Sequence, residues 1–148
     1  MNDTDFSILR LAHQGYCCSQ IILLLALEMQ GKENPALIRS MSGLCHGFSS
    51  EQGACGALTG AACLLGYFAG KGKEDEDTNS RLPLMQTELA EWFEIYAGNR
   101  FGGINCAQIV SGGQLVASVC GGLISECFTK AIAILQANGF DPLTSPDD

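Results

Sequence analysis

The stretch from Gly53 to Gly70 constrains the fold of this chain more than any other. It has no charged side chain, and glycine or alanine recurs at every third or fourth position. Such a run, following a turn rich in glycine and serine, predicts a loop that leads into a buried helix from about Cys55 to Gly70. Gly56 and Gly60 would share one face of that helix, where another backbone or a compact cofactor can come close. Tight helix packing is the commoner reason for such a face, and cofactor binding is the alternative.

The rest of the chain also predicts helices. No segment alternates between apolar and polar residues over a useful length, whereas apolar residues recur at helical spacing. We therefore predict an all-α fold, a compact bundle of about six to seven helices around the glycine- and alanine-rich one. A chain of 148 residues can bury one conventional core, so a single domain over 1–148 is expected, with a loosely ordered tail at 140–148. The other helices are predicted at 5–14 (capped by Thr4), 18–30, 35–44, 78–98, 106–110 and from Gln114 or Ser118 to Ala137.

Charge and composition restrict the classes of partner. The net charge is −8, which argues against binding to nucleic acid or to an anionic membrane surface. The longest wholly apolar run, Ile21 to Leu27, has 7 residues, far fewer than the roughly 20 that span a bilayer, so no membrane insertion is expected. The acidic N-terminus is unlike a secretory signal and predicts a cytoplasmic location. Only 16% of the residues are charged, which favours a surface partly covered by a partner, such as the second subunit of a homodimer.

Cysteine is the residue type that points to chemistry. The chain has 8 cysteines, which is unusual for a cytoplasmic protein because disulfides are rare in that compartment. Cys18, Cys55 and Cys106 each fall in the first turn of a predicted helix, after a turn that contains glycine. A helix start carries about +0.5 elementary charge and unpaired N–H groups, which favour a thiolate. Three converging starts would supply roughly +1.5, comparable with the negative charge of a thiolate-bound iron–sulfur cluster.

A short internal echo supports two of these helix starts. The segments Gly15–Ile22 and Gly103–Val110 carry Gly, Cys, Gln and Ile at the same offsets. The echo predicts two equivalent helix starts that each bear a cysteine, at Cys18 and Cys106.

The other cysteine spacings are less informative. No Cys-x-x-Cys occurs, so both the thioredoxin-type motif and the paired knuckles of a structural zinc site are missing. The adjacent Cys17 and Cys18 would form a strained disulfide with each other, so we expect one sulfur at the site and the other in the core. Cys120 and Cys127 would lie about 10 Å apart along one helix, too far for a direct bond.

Histidine contributes little to a catalytic interpretation. Cys45 and His46 could each supply a metal ligand, but a histidine beside a helix end is more often a capping group. The chain has 2 histidines, His13 and His46. A cysteine nucleophile that needs a histidine as its general base therefore has only these two candidates.

The cysteine positions resemble the motif of one family of small bacterial and archaeal proteins. The matching residues are Gly15-x-x-Cys18-x-Gln20, Cys55-Gly56-Ala57-x-x-Gly60, Cys106 and Cys120. From about Gly15 to Gln136 the chain resembles the C_GCAxxG_C_C family of redox-active proteins, with Cys-Gly-Ala where the family name writes Gly-Cys-Ala. The resemblance implies a redox or metal-cluster role for the four cysteines, in a family whose genes often lie near oxidoreductase or transporter genes. It implies no substrate. The cysteines outside the four family positions are Cys17, Cys45, Cys63 and Cys127.

Three hypotheses follow for the function. The first is a redox or electron-transfer protein whose Cys18, Cys55, Cys106 and Cys120 converge at helix starts, where they ligate an iron–sulfur cluster or cycle between dithiol and disulfide with a redox partner protein. Gly56 and Gly60 would then allow the close approach of a cofactor. The second is a metal binder or sensor that holds zinc or another soft ion and acts through a partner, and the third is a structural interaction bundle. Secondary candidates for the site are Cys17, Cys45, Cys63, Cys127 and His46.

Overall fold

The chain folds into a bundle of helices, and the prediction of an all-α fold is confirmed. The computed structural model describes residues 2–111 and 116–148. Over these two ranges there is no strand, and one isolated bridge joins Ala54 to Asn105. The alternative start of the last helix at Gln114 lies outside the described residues. The elements are α1 (Asp3–His13), α2 (Cys18–Gln30), α3 (Pro35–Met41), a 3-10 turn (Ser42–Leu44), α4 (Cys45–Phe48), α5 (Gly56–Ala69), α6 (Leu82–Phe101), α7 (Cys106–Val110) and α8 (Val116–Ala137).

The glycine- and alanine-rich helix α5 lies at the centre of the bundle, as predicted. It packs against α2, α8 and α6, and most of its side chains are buried. A Cβ atom on Gly60 would lie 2.9 Å from the Cα atom of Ser19, and one on Gly56 would lie 3.3 Å from the Cβ atom of Cys18. The close approach predicted at Gly56 and Gly60 is therefore made by the start of α2, which brings Cys18 next to the start of α5.

Two helices differ from their predicted bounds for local reasons. The cap of α1 is Asn2 and not Thr4: the Asn2 side chain accepts a hydrogen bond from the Asp5 N–H at 2.8 Å, and the Asp5 carboxylate accepts one from the Asn2 N–H at 3.1 Å. This reciprocal pair is a capping box. Helix α6 runs over Leu82–Phe101 and not 78–98. It ends at Gly102, which has a φ of 80° and supplies the left-handed residue that terminates many helices.

The backbone after Cys45 follows a left-handed course that the sequence does not predict. The third helix was expected to reach Leu44 but ends at Met41, and φ is positive at every residue from His46 to Glu51. This conformation costs about 1–2 kcal/mol for each residue that carries a Cβ atom. A hydrogen bond to the start of α7 offsets part of that cost. In it, the Ala107 N–H donates to the Glu51 carbonyl at 3.0 Å. The left-handed segment, residues 46–51, therefore packs against the start of α7.

The C-terminal tail contacts the bundle. Pro142 and Ser145 are buried, and the Pro142 carbonyl accepts a hydrogen bond from the Gln30 side chain at 3.3 Å. The Lys32 ammonium pairs with the Asp148 carboxylate. These contacts tie the tail to α2 and differ from the loose tail at 140–148 that the sequence predicts.

Helix α8 is long and apolar. The segment Ser118–Ala137 is long enough and apolar enough to span a membrane. The same helix packs against α5, α1, α6 and α2, and the core helix of a soluble protein meets the same two criteria. The expectation that the chain does not insert into a membrane stays a prediction.

Candidate functional site: a cavity lined by cysteines

A short backbone pairing brings Cys55 and Cys106 together. The Cys55 N–H donates to the Ile104 carbonyl at 2.9 Å, and the Cys106 N–H donates to the Gly53 carbonyl at 2.9 Å. These bonds flank the bridge between Ala54 and Asn105 and hold the starts of α5 and α7 side by side. Sequence analysis missed this pairing because it joins segments that are distant in the chain, and neither segment has the alternating pattern of a strand.

The two cysteine-bearing helix starts predicted from the internal echo have the same local structure. At α2, the Gln20 side chain accepts a hydrogen bond from the Cys17 N–H at 3.1 Å. At α7, the Gln108 side chain accepts one from the Asn105 N–H at 3.1 Å. In both helices the cysteine follows the N-cap directly and the glutamine lies two residues further on. The echo is therefore a repeated capping arrangement, and the prediction of equivalent starts at Cys18 and Cys106 is confirmed.

The four family-motif cysteines line one cavity of about 500 Å³. Cys18 comes from α2, Cys55 from the N-cap of α5, Cys106 from α7 and Cys120 from α8. The convergence of these residues is confirmed, but Cys120 is not at a helix start, because it lies one turn into α8. The other residues that line the cavity are mostly apolar, with the exceptions of His46 and Glu51; the apolar ones include Ile8, Leu9, Ile21, Ile109 and Ile124.

Cys18 and Cys120 influence each other's ionisation. A hydrogen bond with Cys18 lowers the pKa of Cys120 to about 7, although burial acts in the opposite direction. The same hydrogen bond, followed by burial, raises the pKa of Cys18 far above its ordinary value. The pair therefore holds one proton firmly, with Cys18 as the donor and Cys120 as the sulfur that ionises first.

Cys55 and Cys106 flank this pair as thiols that stay protonated at neutral pH. Burial raises the pKa of Cys55 to about 11, and hydrogen bonds from the N–H groups of Ala57 and Leu58 offset only part of that shift. Burial also raises the pKa of Cys106, with the Glu51 carboxylate acting in the same direction.

The expectation that helix starts favour thiolates at Cys18, Cys55 and Cys106 is therefore wrong. At Cys55 and Cys106 the partial charge of a helix start, about +0.5, is outweighed by the cost of moving an anionic sulfur out of water. At Cys18 the hydrogen bond with Cys120 is the larger cause and burial is the second. The one thiol of the four whose pKa is lowered, Cys120, lies inside a helix and owes the shift to another thiol.

Cys17 and Cys45 are joined by a disulfide, with their Cα atoms 5.8 Å apart. Cys17 also lines the cavity, so the expectation that one of the adjacent Cys17 and Cys18 would point into the core is wrong. The buried Ser19 hydroxyl lies beside this bond, 3.3 Å from the Cys17 sulfur and 4.0 Å from the Cys45 sulfur. No local signal in the sequence indicates this pairing, because the two residues are 28 positions apart and meet only when α2 packs against the segment after α3.

The remaining secondary candidates for the site lie in different parts of the fold, and only one of them lines the cavity. His46 lines the cavity. Cys63 is exposed on α5, and Cys127 is fully buried in α8. Neither of these two cysteines lines the cavity.

The four cysteines are not arranged around a single ion. Among residues 2–111 and 116–148, no three His, Cys, Asp or Glu side chains are grouped closely enough to hold one metal ion. A cluster spreads its thiolate ligands over several iron atoms, so its sulfurs lie farther apart than those around one ion. Four thiols around one cavity are the type of donor set that ligates iron–sulfur clusters in proteins.

A second cavity, of about 570 Å³, lies among α1, α2 and α3. No cysteine lines it. Its charged residues include Arg10 and Glu28, which form an ion pair at 2.7 Å. The larger volume therefore lies away from the thiols, and the smaller cavity is the candidate site.

The fold and the cavity together define a class, the all-helical proteins with a clustered-cysteine site. Residues 16–134 match the family described as "Putative redox-active protein (C_GCAxxG_C_C)". The match covers most of the chain, so the chain belongs to the C_GCAxxG_C_C family, and the resemblance seen in the sequence is confirmed. Every cysteine lies within the matched range. No curated protein and no solved structure matches this chain.

Proposed function

We propose that the cavity is a thiol–disulfide redox centre in which Cys18 and Cys120 are the exchanging pair. The observation that carries the proposal is that Cys18 and Cys120, which come from two distant helices, line the same cavity, where Cys18 lowers the pKa of Cys120 to about 7. At neutral pH about half of the Cys120 side chains are thiolates, and the thiolate is the form that attacks a disulfide. The pKa values of Cys55 and Cys106 are raised, so these thiols are poor nucleophiles under the same conditions.

The proposed reaction consumes an external disulfide, either a small molecule or a group on a redox partner protein. The Cys120 thiolate attacks one sulfur of that disulfide, forms a mixed disulfide and releases the other sulfur as a thiolate. Cys18 then gives up its proton and attacks the Cys120 sulfur, which forms the Cys18–Cys120 disulfide and releases the second sulfur. Two electrons pass to the external disulfide, and its two sulfurs leave as thiols once they are protonated.

The roles of the two cysteines follow from the difference between their pKa values. Cys120 is the attacking residue because its pKa is the lower of the two. Cys18 is the resolving residue because its thiol keeps its proton until Cys120 has become part of a mixed disulfide. Formation of that bond removes the negative charge and the sulfur acceptor that hold the Cys18 proton, so the pKa of Cys18 falls when its thiolate is needed.

The test is a reaction with an aromatic disulfide that releases a coloured thiolate. The Cys63→Ser background removes the exposed thiol outside the cavity. In this background, near pH 7, we expect about two coloured thiolates per chain in the fast phase, one from the attack and one from the resolution. Cys18→Ser should release about one and keep the other as a mixed disulfide, and Cys120→Ser should lose the fast phase. A fast phase that survives Cys120→Ser would refute the assignment.

An iron–sulfur cluster is the second candidate, favoured by the four cysteines from four elements that line one cavity. Cys18, Cys55, Cys106 and Cys120 would hold the cluster, which would supply one-electron transfer when bound. The N–H groups of Ala57 and Leu58, which act to lower the pKa of Cys55, would stabilise negative charge on its sulfur.

The cluster candidate is tested on protein that is expressed and purified without oxygen. Iron and acid-labile sulfide in stoichiometric amounts, with a visible absorption band that bleaches on reduction, would support it. Protein without iron whose Cys18 and Cys120 exchange with disulfides would support the dithiol reaction instead.

A further inference from the structure

We propose that the Cys17–Cys45 disulfide is an electron acceptor within the chain for Cys18 and Cys120, so that the cavity serves two redox pairs that exchange with each other. The inference rests on the proposed thiol–disulfide chemistry and adds a partner to it. Cys17 and Cys45 are not among the four motif positions, Cys18, Cys55, Cys106 and Cys120, so the second pair is a property of this chain's own residues.

The position of the disulfide relative to the cavity sets the direction of attack. Cys17 lines the cavity together with Cys18 and Cys120, whereas Cys45 does not line it. In thiol–disulfide exchange the attacking sulfur, the attacked sulfur and the leaving sulfur lie nearly in line. Of the two cysteines of the disulfide, Cys17 is the one that a thiolate in the cavity meets, so we assign Cys17 as the attacked residue and Cys45 as the leaving group.

Ser19 supplies a polar group at the point where a thiolate would form. Its side chain is fully buried, and its hydroxyl donates to the Met41 carbonyl at 2.8 Å. The same oxygen lies 3.3 Å from the Cys17 sulfur and 4.0 Å from the Cys45 sulfur. By rotation about its C–O bond the hydroxyl can donate to either sulfur as it becomes anionic, and a hydrogen bond to the charged form stabilises a leaving thiolate.

Bonds and electrons are conserved when the two cysteine pairs of the chain exchange with each other. The Cys120 thiolate attacks the Cys17 sulfur, so a Cys17–Cys120 bond forms and the Cys17–Cys45 bond breaks, with Cys45 leaving as a thiolate that takes up a proton. Cys18 then loses its proton and attacks the Cys120 sulfur, which forms Cys18–Cys120 and releases Cys17. Cys18 and Cys120 are oxidised by two electrons, Cys17 and Cys45 are reduced by two electrons, and no external oxidant is consumed.

The experiment uses the full chain, with Cys17–Cys45 oxidised and Cys18 and Cys120 reduced, in oxygen-free buffer without any redox reagent. Free thiols are blocked by rapid alkylation after increasing times, and the disulfide-linked peptides are identified by mass spectrometry. The informative variant is Cys18→Ser, which removes the resolving thiol and traps the intermediate. It also removes the ambiguity between the adjacent Cys17 and Cys18, which occur in the same peptide.

In Cys18→Ser we expect the Cys17–Cys120 linkage to rise by about tenfold over the wild type, with Cys45 alkylated in the same chains. Cys127→Ser is the matched control, because Cys127 is a free cysteine of the same helix as Cys120 and does not line the cavity. It should keep the wild-type distribution. In the wild type, with Cys18 present, part of the disulfide should move to Cys18–Cys120 while the total stays at one per chain.

The inference is overturned if the disulfide stays between Cys17 and Cys45 in both the wild type and Cys18→Ser, or if the trapped linkage joins Cys17 to Cys106. The wild-type measurement keeps the test decisive even if Cys18→Ser does not fold. Failure of the proposed function would look different. In that case an added external disulfide would not oxidise Cys18 and Cys120, whereas a failed internal exchange leaves that reaction intact.

Discussion

Cys18 and Cys120 line the same cavity, and their mutual influence moves the pKa values of the two thiols in opposite directions. Cys18 lies at the start of α2 and Cys120 lies one turn into α8, so two distant parts of the chain build the pair. In the proposed redox centre, this mutual influence makes the Cys120 sulfur the nucleophile near neutral pH. Burial alone would have raised both pKa values.

Replacement of Cys120 by serine should remove the most reactive thiol of the cavity. Because the pKa of Cys120 is lowered to about 7, the alkylation rate of the wild type should rise with pH and level off above about pH 8. In Cys120→Ser the fast phase near pH 7 should fall by at least about tenfold. The measurement is the rate of iodoacetamide labelling at each cysteine, followed by mass spectrometry. Cys63→Ser is the control, and a fast phase that follows Cys63 would contradict the assignment.

Replacement of Gly60 by alanine should destabilise the packing of α2 against α5. The new Cβ atom would lie 2.9 Å from the Ser19 Cα atom and 3.1 Å from the Ser19 carbonyl oxygen. Backbone must move to relieve such contacts, at a cost of about 1–3 kcal/mol in the free energy of unfolding. Urea unfolding measures this cost.

The matched control for Gly60→Ala is Gly66→Ala, in the same helix. A Cβ atom on Gly66 meets no heavy atom within 4 Å, so the higher helix propensity of alanine should stabilise the protein by about 1 kcal/mol. Equal effects of the two substitutions would show that close packing at Gly60 is not what holds α2 and α5 together.

Glycine should be favoured within the left-handed segment. Ser50 has a φ of 56°, which costs a residue with a Cβ atom about 1–2 kcal/mol and costs glycine little. After allowance for the greater freedom of glycine in the unfolded chain, Ser50→Gly should stabilise the protein by about 0.5–1 kcal/mol. Ser40→Gly in α3 should instead destabilise it by about 0.5 kcal/mol. Thermal unfolding compares the two variants, and a loss of stability in Ser50→Gly would argue against a left-handed backbone there.

The raised pKa of Cys55 predicts a loss of stability at alkaline pH. The folded chain holds this proton more tightly than the unfolded chain does, so the contribution of Cys55 is complete below about pH 9 and is lost as the pH rises towards 11. A shift from 9.0 to about 11 corresponds to roughly 2–3 kcal/mol. Urea unfolding at about pH 8 and about pH 10.5 should show a larger loss in the wild type than in Cys55→Ala.

Cys63→Ala should change the dependence on pH less than Cys55→Ala does, because Cys63 is exposed outside the cavity, although partial burial of its thiol also raises its pKa. If Cys55→Ala and the wild type lost the same stability between the two pH values, the buried thiol would not be the group responsible.

The parts of the site that could be predicted from sequence are those set by local signals. The sequence predicts equivalent helix starts at Cys18 and Cys106 because each follows a turn with glycine and the two segments carry the same residues at the same offsets. These signals are local, and in the structure the shared glutamine completes each cap. The central helix α5 was predicted because its apolar and small residues exclude a surface position.

The rest of the site depends on contacts between distant segments. The pairing of Ala54 with Asn105, the Cys17–Cys45 disulfide and the left-handed segment have no periodic signature in the sequence. The direction of the pKa shifts was predicted wrongly at Cys18, Cys55 and Cys106 for a related reason. The helix start is visible in the sequence, but the burial of Cys55 and Cys106 and the pairing of Cys18 with Cys120, which outweigh it, are not.

The most direct test of the central claim is to map the first disulfide that forms when the cavity is oxidised. Wild-type protein with Cys18 and Cys120 reduced is treated with glutathione disulfide under nitrogen, alkylated and analysed by peptide mass spectrometry. We expect a Cys18–Cys120 linkage as the main new product, with Cys55 and Cys106 still alkylated as free thiols. A first disulfide that joins any other two of the four cysteines would contradict the assignment of Cys18 and Cys120 as the redox pair.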